Sequence, residues 1–339
     1  MKLRVGIVGI SETWETRHRP ALRALADRFE VRAVCAEVNQ RAEQVAQEFR
    51  AVAMDGFRSL AARPDLDAIL VLGSGFYGPL PIFAACDEGK AVYCAASLDI
   101  PPAVAREVKS RVAESGVAFM AELPRRHAPA TLRLKELIAT RLGKPRLLFC
   151  HSRVPLPGGS GSRQRPSVNQ SNGLRDLMEL VDWCRYVVGS EPTSVMGVEH
   201  RPNPDAEQPD YQMMSLDFSP PDTPRLGPLA QISCGRYMPA CWPEAITFRP
   251  PAALQVACEH GIAFVDLPSS LVWFDQAGRQ MESLESERPV GEQLLTHFHR
   301  AVTSLVRKTS DLEDAFRALQ IVLAARDSCQ TGHRAFIED

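Results

Sequence analysis

The chain of 339 residues is 45% hydrophobic and 24% charged, the make-up of an ordinary globular protein, and its length points to two domains. A formal net charge of -2 leaves no basic excess for binding nucleic acid or an anionic membrane surface. With no apolar run near the roughly 20 residues that span a bilayer, no export signal, and nine scattered cysteines without a C-x-x-C pair, the expectation is a cytoplasmic protein with buried thiols, no disulfides and no metal site.

Over the first third, strand-like and helix-like segments alternate. Residues 3–8 (L-R-V-G-I-V) are a short apolar strand, and residues 20–28 carry Leu22, Leu25 and Ala26 at helical spacing. A strand at 29–35, a helix at 39–49 and a weak strand at 51–54 follow. Residues 68–72 (A-I-L-V-L) form a continuous apolar run, as in a parallel strand buried on both faces. Then come a helix at 79–88, a strand at 91–94, a helix at 103–115 and a strand at 118–121. This alternation over short loops predicts right-handed crossovers and a doubly wound parallel sheet over residues 1–121.

Residues 122–339 have a different rhythm and are expected as a second, α+β domain. A helix at 129–141 leads to a strand at 146–153, and residues 155–171, rich in Gly, Ser and Pro, predict a mobile loop. A helix at 174–188 precedes strands at 194–198, 212–218, 229–234, 245–248, 254–258, 262–267 and 271–274. Helices at 291–307 and 312–327 close the chain, the last with Asp311 as its N-cap. Many consecutive strands flanked by helices predict a mostly antiparallel sheet with helices on one face. The apolar strands L-A-Q-I-S-C and L-Q-V-A-C predict covered faces, hence a homo-oligomer, either a dimer or a tetramer.

Several strings recur in a fixed order: H-R-P-A-L-R-A-L (18–25), E-V-R-A-V-C (30–35), L-D-A-I-L-V-L (66–72), A-A-C-D-E-G-K-A-V-Y-C (84–94), R-R-H-A-P-A-T-L-R-L-K-E-L-I (125–138), L-G-K-P-R-L-L (142–148) and L-E-D-A-F-R-A-L (312–319). In these the chain resembles, over nearly its whole length, the glucose–fructose oxidoreductase / inositol dehydrogenase (Gfo/Idh/MocA) family, as a divergent member. The resemblance implies that residues 1–121 are a Rossmann domain, that the second domain carries a large open sheet used for oligomerisation, and that the chain takes a nicotinamide cofactor and a substrate among sugars, polyols or related small molecules.

The segment R-V-G-I-V-G-I-S-E-T-W (4–14) carries the phosphate turn. A Rossmann turn uses glycines to turn tightly, to bring backbone to the pyrophosphate and to pack helix on strand. Here Gly9 keeps the turn, Ile10, Ser11 and Thr13 would line it, and Ser11 and Trp14 stand where further glycines belong. Trp14 either crowds the cofactor and helix start or is a packing residue on the outer surface. Residues 13–18 are also one residue longer than the family spacing, which would re-aim the helix.

At the end of the second strand the resemblance calls for an acid on the adenosine ribose. Ala36 stands there, followed by Glu37, which is either a substitute or a solvated charge. Arg41 is the nearest cation for a phosphorylated cofactor, so NAD and NADP both stay open. In L-V-L-G-S-G-F-Y-G (70–78) Leu72, Gly73, Ser74 and Tyr77 are expected beside the cofactor, as are Ala95 and Ala96. These departures predict that the dinucleotide is held weakly or that its binding is lost.

The family's Glu-Lys-Pro triplet reads Ala95, Ala96, Ser97, and an alanine cannot donate a proton. Its Asp and His, four residues apart on one helix, align with Arg175 and Glu179, while Asp182 keeps a later acid. Arg175, Glu179 and Asp182 fall at i, i+4 and i+7 and share a helix face. They are either a catalytic group or a surface ion pair. His127, following Arg125 and Arg126, is a further proton-transfer candidate, and this basic run suits an anionic substrate. Tyr237 and Trp242 either line a pocket or pack on the sheet. Three readings follow: an oxidoreductase using Glu179, Arg175, His127 and Asp182; a non-redox lyase or isomerase; or a pseudoenzyme that senses a small molecule.

Overall fold

A computed structural model describes residues 1–73, 76–95, 100–156, 173–203, 206, 209–220, 222–239, 241–242, 244–245, 248, 250–304 and 311–337. The chain divides into two compact units, Met1–Pro124 with Arg288–Arg317, and Arg125–Glu287 with Ala318–Asp339.

In the first unit β1 (Leu3–Val8), α1 (Arg19–Ala24), β2 (Phe29–Cys35), α2 (Asn39–Phe49), β3 (Val52–Ala53) and α3 (Phe57–Ala61) are followed by β4 (Ala68–Val71), α4 (Leu80–Asp87), β5 (Ala91–Cys94), α5 (Pro102–Ser115) and β6 (Phe119–Ala121). The strands pair in parallel in the order β3-β2-β1-β4-β5-β6. Strand order reverses beside β1, so the loops after β1 and β4 meet at a topological switch point, where doubly wound sheets bind ligands. β4 is buried along its whole length, as its unbroken apolar run requires. A π-helical turn, Trp14–His18, leads into α1. There the His18 N–H lies 3.4 Å from the Thr13 carbonyl, five residues back. A π turn houses one residue more than an α turn.

The second unit contains α6 (Pro129–Leu137), β7 (Pro145–Leu156), α7 (Leu174–Val188), β8 (Ser194–His200), β9 (Tyr211–Asp217), β10 (Leu229–Pro239), β11 (Leu254–Cys258), β12 (Ile262–Asp266), β13 (Ser270–Asp275) and β14 (Gly278–Ser283). Then α8 (Val290–Thr303) returns to the first unit, α9 (Asp311–Thr331) belongs to the first unit up to Arg317, and β15 (Ala335–Phe336) ends in the second. α8 belongs to the first unit because Leu294, Leu295 and Phe298 lie in one core with Leu3, Ile7, Leu22 and Tyr93. Each such side chain contributes about 1.5–3 kcal/mol by leaving water.

Nine strands form the second sheet, β14-β13-β12-β11-β7-β10-β9-β8-β15; β7 and β10 pair in parallel and every other pair is antiparallel. Leu148, Cys150, Ala230, Ile232, Leu254, Val256, Val265 and Trp273 are buried on one face. α7 buries Leu177, Leu180, Val181 and Cys184. Its Trp183 is anchored to α6 by an indole N–H donated to Thr131 Oγ1 at 2.9 Å, a buried bond worth about 1 kcal/mol.

Strand register places Met196, Val198, Leu229, Leu147, Phe149, Phe264, Val272 and Met281 together on the other face. Of these Met196, Val198, Leu147, Leu229 and Met281 are exposed. Elements without a clear sequence signal include α3, β14 and β15. α3 is too short to show a period, and the pattern of β14 (G-R-Q-M-E-S) contains no buried residue. Of the strand expected at 245–248, Ala245 is helical and residues 246–247 lie outside the described residues, as do almost all of 155–171 and the last residues of the helix expected at 291–307.

Candidate functional site

At the switch point Gly9 has φ +78, and a Cβ built on it would lie 2.7 Å from the Gly73 nitrogen and 2.8 Å from its Cα. The two loops therefore cross backbone to backbone, in a conformation and a space that only glycine fills without strain. Beyond Gly9, the N–H groups of Ile10, Ser11, Glu12 and Thr13 meet no acceptor among the described residues, whereas Trp14 N–H returns to the Ser11 carbonyl at 3.1 Å. Four consecutive donors at the carboxyl edge of a parallel sheet suit an anion.

The Trp14 indole is 2% exposed and meets Phe49 edge-on at 6.0 Å, within the core of the first unit. It neither fills the turn nor lies on the outer surface, so both sequence-based alternatives for Trp14 need correction. The π turn rotates the residue inward. Leu72 and Ala95 are also buried in this unit's core, leaving only their backbones for a ligand. Ser74 and Ala96 lie outside the described residues.

At the end of β2, Ala36 is half-buried and Glu37 exposed. Tyr77 turns its hydroxyl to Cys35 Sγ at 3.5 Å and packs edge-on against Phe57 and Phe76 at 5.5 and 4.9 Å. Burial pushes the Tyr77 hydroxyl up, reinforced by the Cys35 contact, so it stays protonated.

A cluster that sequence reasoning missed adjoins the turn. Glu122, just past β6, is fully buried; its Oε2 accepts from Tyr93 OH and from His18 Nε2, both at 2.8 Å, and its Oε1 accepts from Arg17. Burial alone would raise this carboxyl, but His18, Arg17 and Tyr93 together outweigh burial and bring it down to about 2. Tyr93 is pushed well up by burial and by the Glu122 charge. The available sequence signal was a lone glutamate inside the run F-M-A-E-L, since a charge in an apolar run is usually buried and paired.

In the second unit, Glu179 on α7 has a side chain 15% exposed, with Arg175 Nε at 3.3 Å and Arg125 Nε at 3.5 Å. It is therefore not a solvated surface pair. Arg125 lies over the Trp183 ring at 5.4 Å, and its buried Nε, apart from the ion-pair approach to Glu179, has no hydrogen-bond acceptor among the described residues. Asp182 accepts from Arg126 through both oxygens, Nε at 2.7 Å and the second nitrogen closer still, and has Arg185 at 3.5 Å. Arg185 in turn binds Glu191, and Arg236 binds Asp176 at 2.8 Å. Arg175 and Glu179 are thus in contact, while Asp182 is drawn into a separate set of pairs. His127 is half-buried on the short 3-10 helix Pro124–His127.

On the uncovered face of the sheet, Tyr237 lines a shallow cavity of about 270 Å³ with His151, Arg153, Tyr211, Gln231 and Ser233. Trp242 is 61% exposed. No group of His, Cys, Asp and Glu among the described residues is arranged to hold a metal ion. No described helix is long and apolar enough to cross a membrane.

A six-stranded parallel sheet with a glycine crossing at its switch point defines a nucleotide-binding class of domain. Residues 3–123 match the model of an oxidoreductase family with an NAD-binding Rossmann fold, GFO_IDH_MocA. The chain is 28% identical over 212 residues to inositol 2-dehydrogenase of Mycolicibacterium smegmatis, covering 61% of this chain and 59% of that relative. Among solved structures, a putative myo-inositol dehydrogenase from Sinorhizobium meliloti 1021 superposes with a TM-score of 0.77 at 20% identity, over 99% of this chain and 100% of that one. An NAD binding oxidoreductase from Klebsiella pneumoniae gives 0.82 at 18% identity, over 100% of both chains. At those identities the structural likeness establishes the fold.

Proposed function

We propose that this chain is an NAD(P)-dependent oxidoreductase acting on a sugar, a polyol such as an inositol, or a related small molecule, with the family's catalytic Lys and His replaced. The observation that carries this reading is the Gly9–Gly73 crossing, followed by four N–H groups that meet no acceptor among the described residues. This cradle fits a pyrophosphate, and the Trp14 indole lies outside it. Gly9, Ile10, Ser11 and Thr13 would hold the phosphates, and Gly73 and Tyr77 would flank the ligand. Ala36 offers no carboxylate to the ribose, and the loss of one charge-assisted hydrogen bond weakens binding by about 1.5–3 kcal/mol. Glu37 and Arg41, both exposed, are the groups that would discriminate NAD from NADP.

When bound, a nicotinamide supplies a hydride donor or acceptor. Glu179 would take up or return the substrate's hydroxyl proton. Arg175 and Arg125 would fix its carboxylate and attract an anionic group on the substrate, Asp182 would position Arg126, and His127 would be the second proton-handling group. The test is nicotinamide absorbance during incubation with a panel of inositols, sugar acids and UDP-sugars. Turnover that is lost in Glu179→Gln supports this reading; turnover unchanged in that variant refutes the role of Glu179.

A second reading is favoured by the same helix face, because Glu179 and Asp182 are both held by guanidinium groups. The chain would then be a non-redox enzyme or a sensor, binding a polyol without changing the nicotinamide absorbance. The uncovered apolar sheet face supports a homo-oligomer, a dimer or tetramer. The nine free cysteines, seven of them buried, support a cytoplasmic setting.

A further inference from the structure

His18 joins the buried Glu122 to the phosphate turn. It is 1% exposed, and while Nε2 meets Glu122, Nδ1 lies 3.3 Å from Ser11 Oγ and 3.4 Å from Thr13 Oγ1. Those two hydroxyl oxygens are 3.1 Å apart. The surrounding elements supply the other groups: Tyr93 from β5, Arg17 from the π turn, Phe298 of α8 edge-on to Tyr93 at 5.5 Å, and Gly291 of α8 against the Arg17 carbonyl.

Hydrogen-bond inventory fixes what this chain of contacts can do. An ionised carboxylate only accepts, so the bond to Glu122 requires the proton on His18 Nε2. A neutral imidazole then has Nδ1 as an acceptor, and a hydroxyl of Ser11 or Thr13 must donate to it. A hydroxyl committed in this way offers its lone pairs, not its proton, to anything in the turn. Protonation of the ring reverses this: Nδ1–H donates inward, and both hydroxyl protons become available to an anion.

We propose that Glu122 and His18 are a proton-linked positioning pair, which turns the Ser11 and Thr13 hydroxyls into phosphate donors, so that a pyrophosphate group binds with uptake of a proton by His18. The inference rests on the dinucleotide reading above for its natural ligand. Uptake of one proton on binding predicts that affinity falls as pH rises, by up to about tenfold per pH unit.

The test is calorimetric titration of the full chain with NADH, and separately with inorganic pyrophosphate, in buffers of different ionisation enthalpy. Proton uptake is expected with either ligand. It should disappear in Ser11→Ala/Thr13→Val, which removes the route to the ligand without touching a buried charge, and in His18→Gln where circular dichroism shows that variant folded. Binding without proton uptake, or uptake that persists in the double variant, overturns the proposal. If pyrophosphate binds with uptake and NADH does not bind, the dinucleotide reading falls and this inference stands. If neither ligand binds, both fall.

Discussion

Gly9 and Gly73 touch through their backbones, and a methyl group on Gly9 would penetrate to 2.7 Å from the Gly73 nitrogen. Gly9→Ala therefore combines a positive φ with a backbone collision, and should cost at least about 1–3 kcal/mol. Urea unfolding measures that loss, and dinucleotide affinity should fall with it. A variant of unchanged stability would mean that the crossing is looser than described.

Trp14→Gly should not strengthen ligand binding, because the indole packs in the core and not in the turn. Removing a buried Trp side chain costs about 3–5 kcal/mol, so a large drop in melting temperature is the expected result. Tighter dinucleotide binding by a folded Trp14→Gly variant would contradict this placement.

Glu122 gives the first unit an acid-sensitive stability term. Its folded carboxyl is depressed to about 2, below the ordinary unfolded value near ~4.3. Its contribution is therefore complete above the unfolded value and is lost as pH falls from about 4 towards 2. Glu122→Gln should lower stability at neutral pH and flatten that part of the curve, measured by urea midpoints across the acid range. An unchanged acid limb would show that the buried pair does not hold the charge.

Asp182 and Glu179 should separate in their effects. Asp182→Asn leaves Arg126 and Arg185 short of a buried counter-charge and should cost about 3–5 kcal/mol. Glu179→Gln keeps the shape of a partly exposed side chain and should change stability by less than about 1 kcal/mol while abolishing turnover. Chemical denaturation of both variants, with a turnover assay on the second, checks the pair of outcomes.

The uncovered sheet face predicts an assembly. Light scattering of the unaltered chain at micromolar concentration should give more than one chain per particle, and Leu147→Glu with Leu229→Glu should reduce it to a monomer. These two residues are register partners on β7 and β10 and are both exposed. A monomeric parent would remove the oligomer reading.

The architecture was largely legible because its signals are periodic. The run A-I-L-V-L is of the sort found in a strand buried on both faces, and β4 is such a strand. Residues 288–317 were expected in the second domain, and only tertiary packing of Leu294 and Phe298 assigns them to the first. The helical spacing of Arg175 and Glu179 foresaw their contact, whereas the partner of Asp182 lies 56 residues away in Arg126 and left no local pattern. The inward rotation of Trp14 follows from a π turn, which differs from an α turn by one residue and has no distinctive composition. Glu122 and His18 are 104 residues apart, so their pairing could not be read from spacing.

The most direct test of dinucleotide-dependent oxidoreduction is a calorimetric titration of the unaltered chain with NADH and NADPH. Saturable binding of at least one of them, with Kd weaker than about 1 μM, or roughly -8 kcal/mol, is the predicted result. Absence of saturable binding at millimolar concentrations of both would contradict the account.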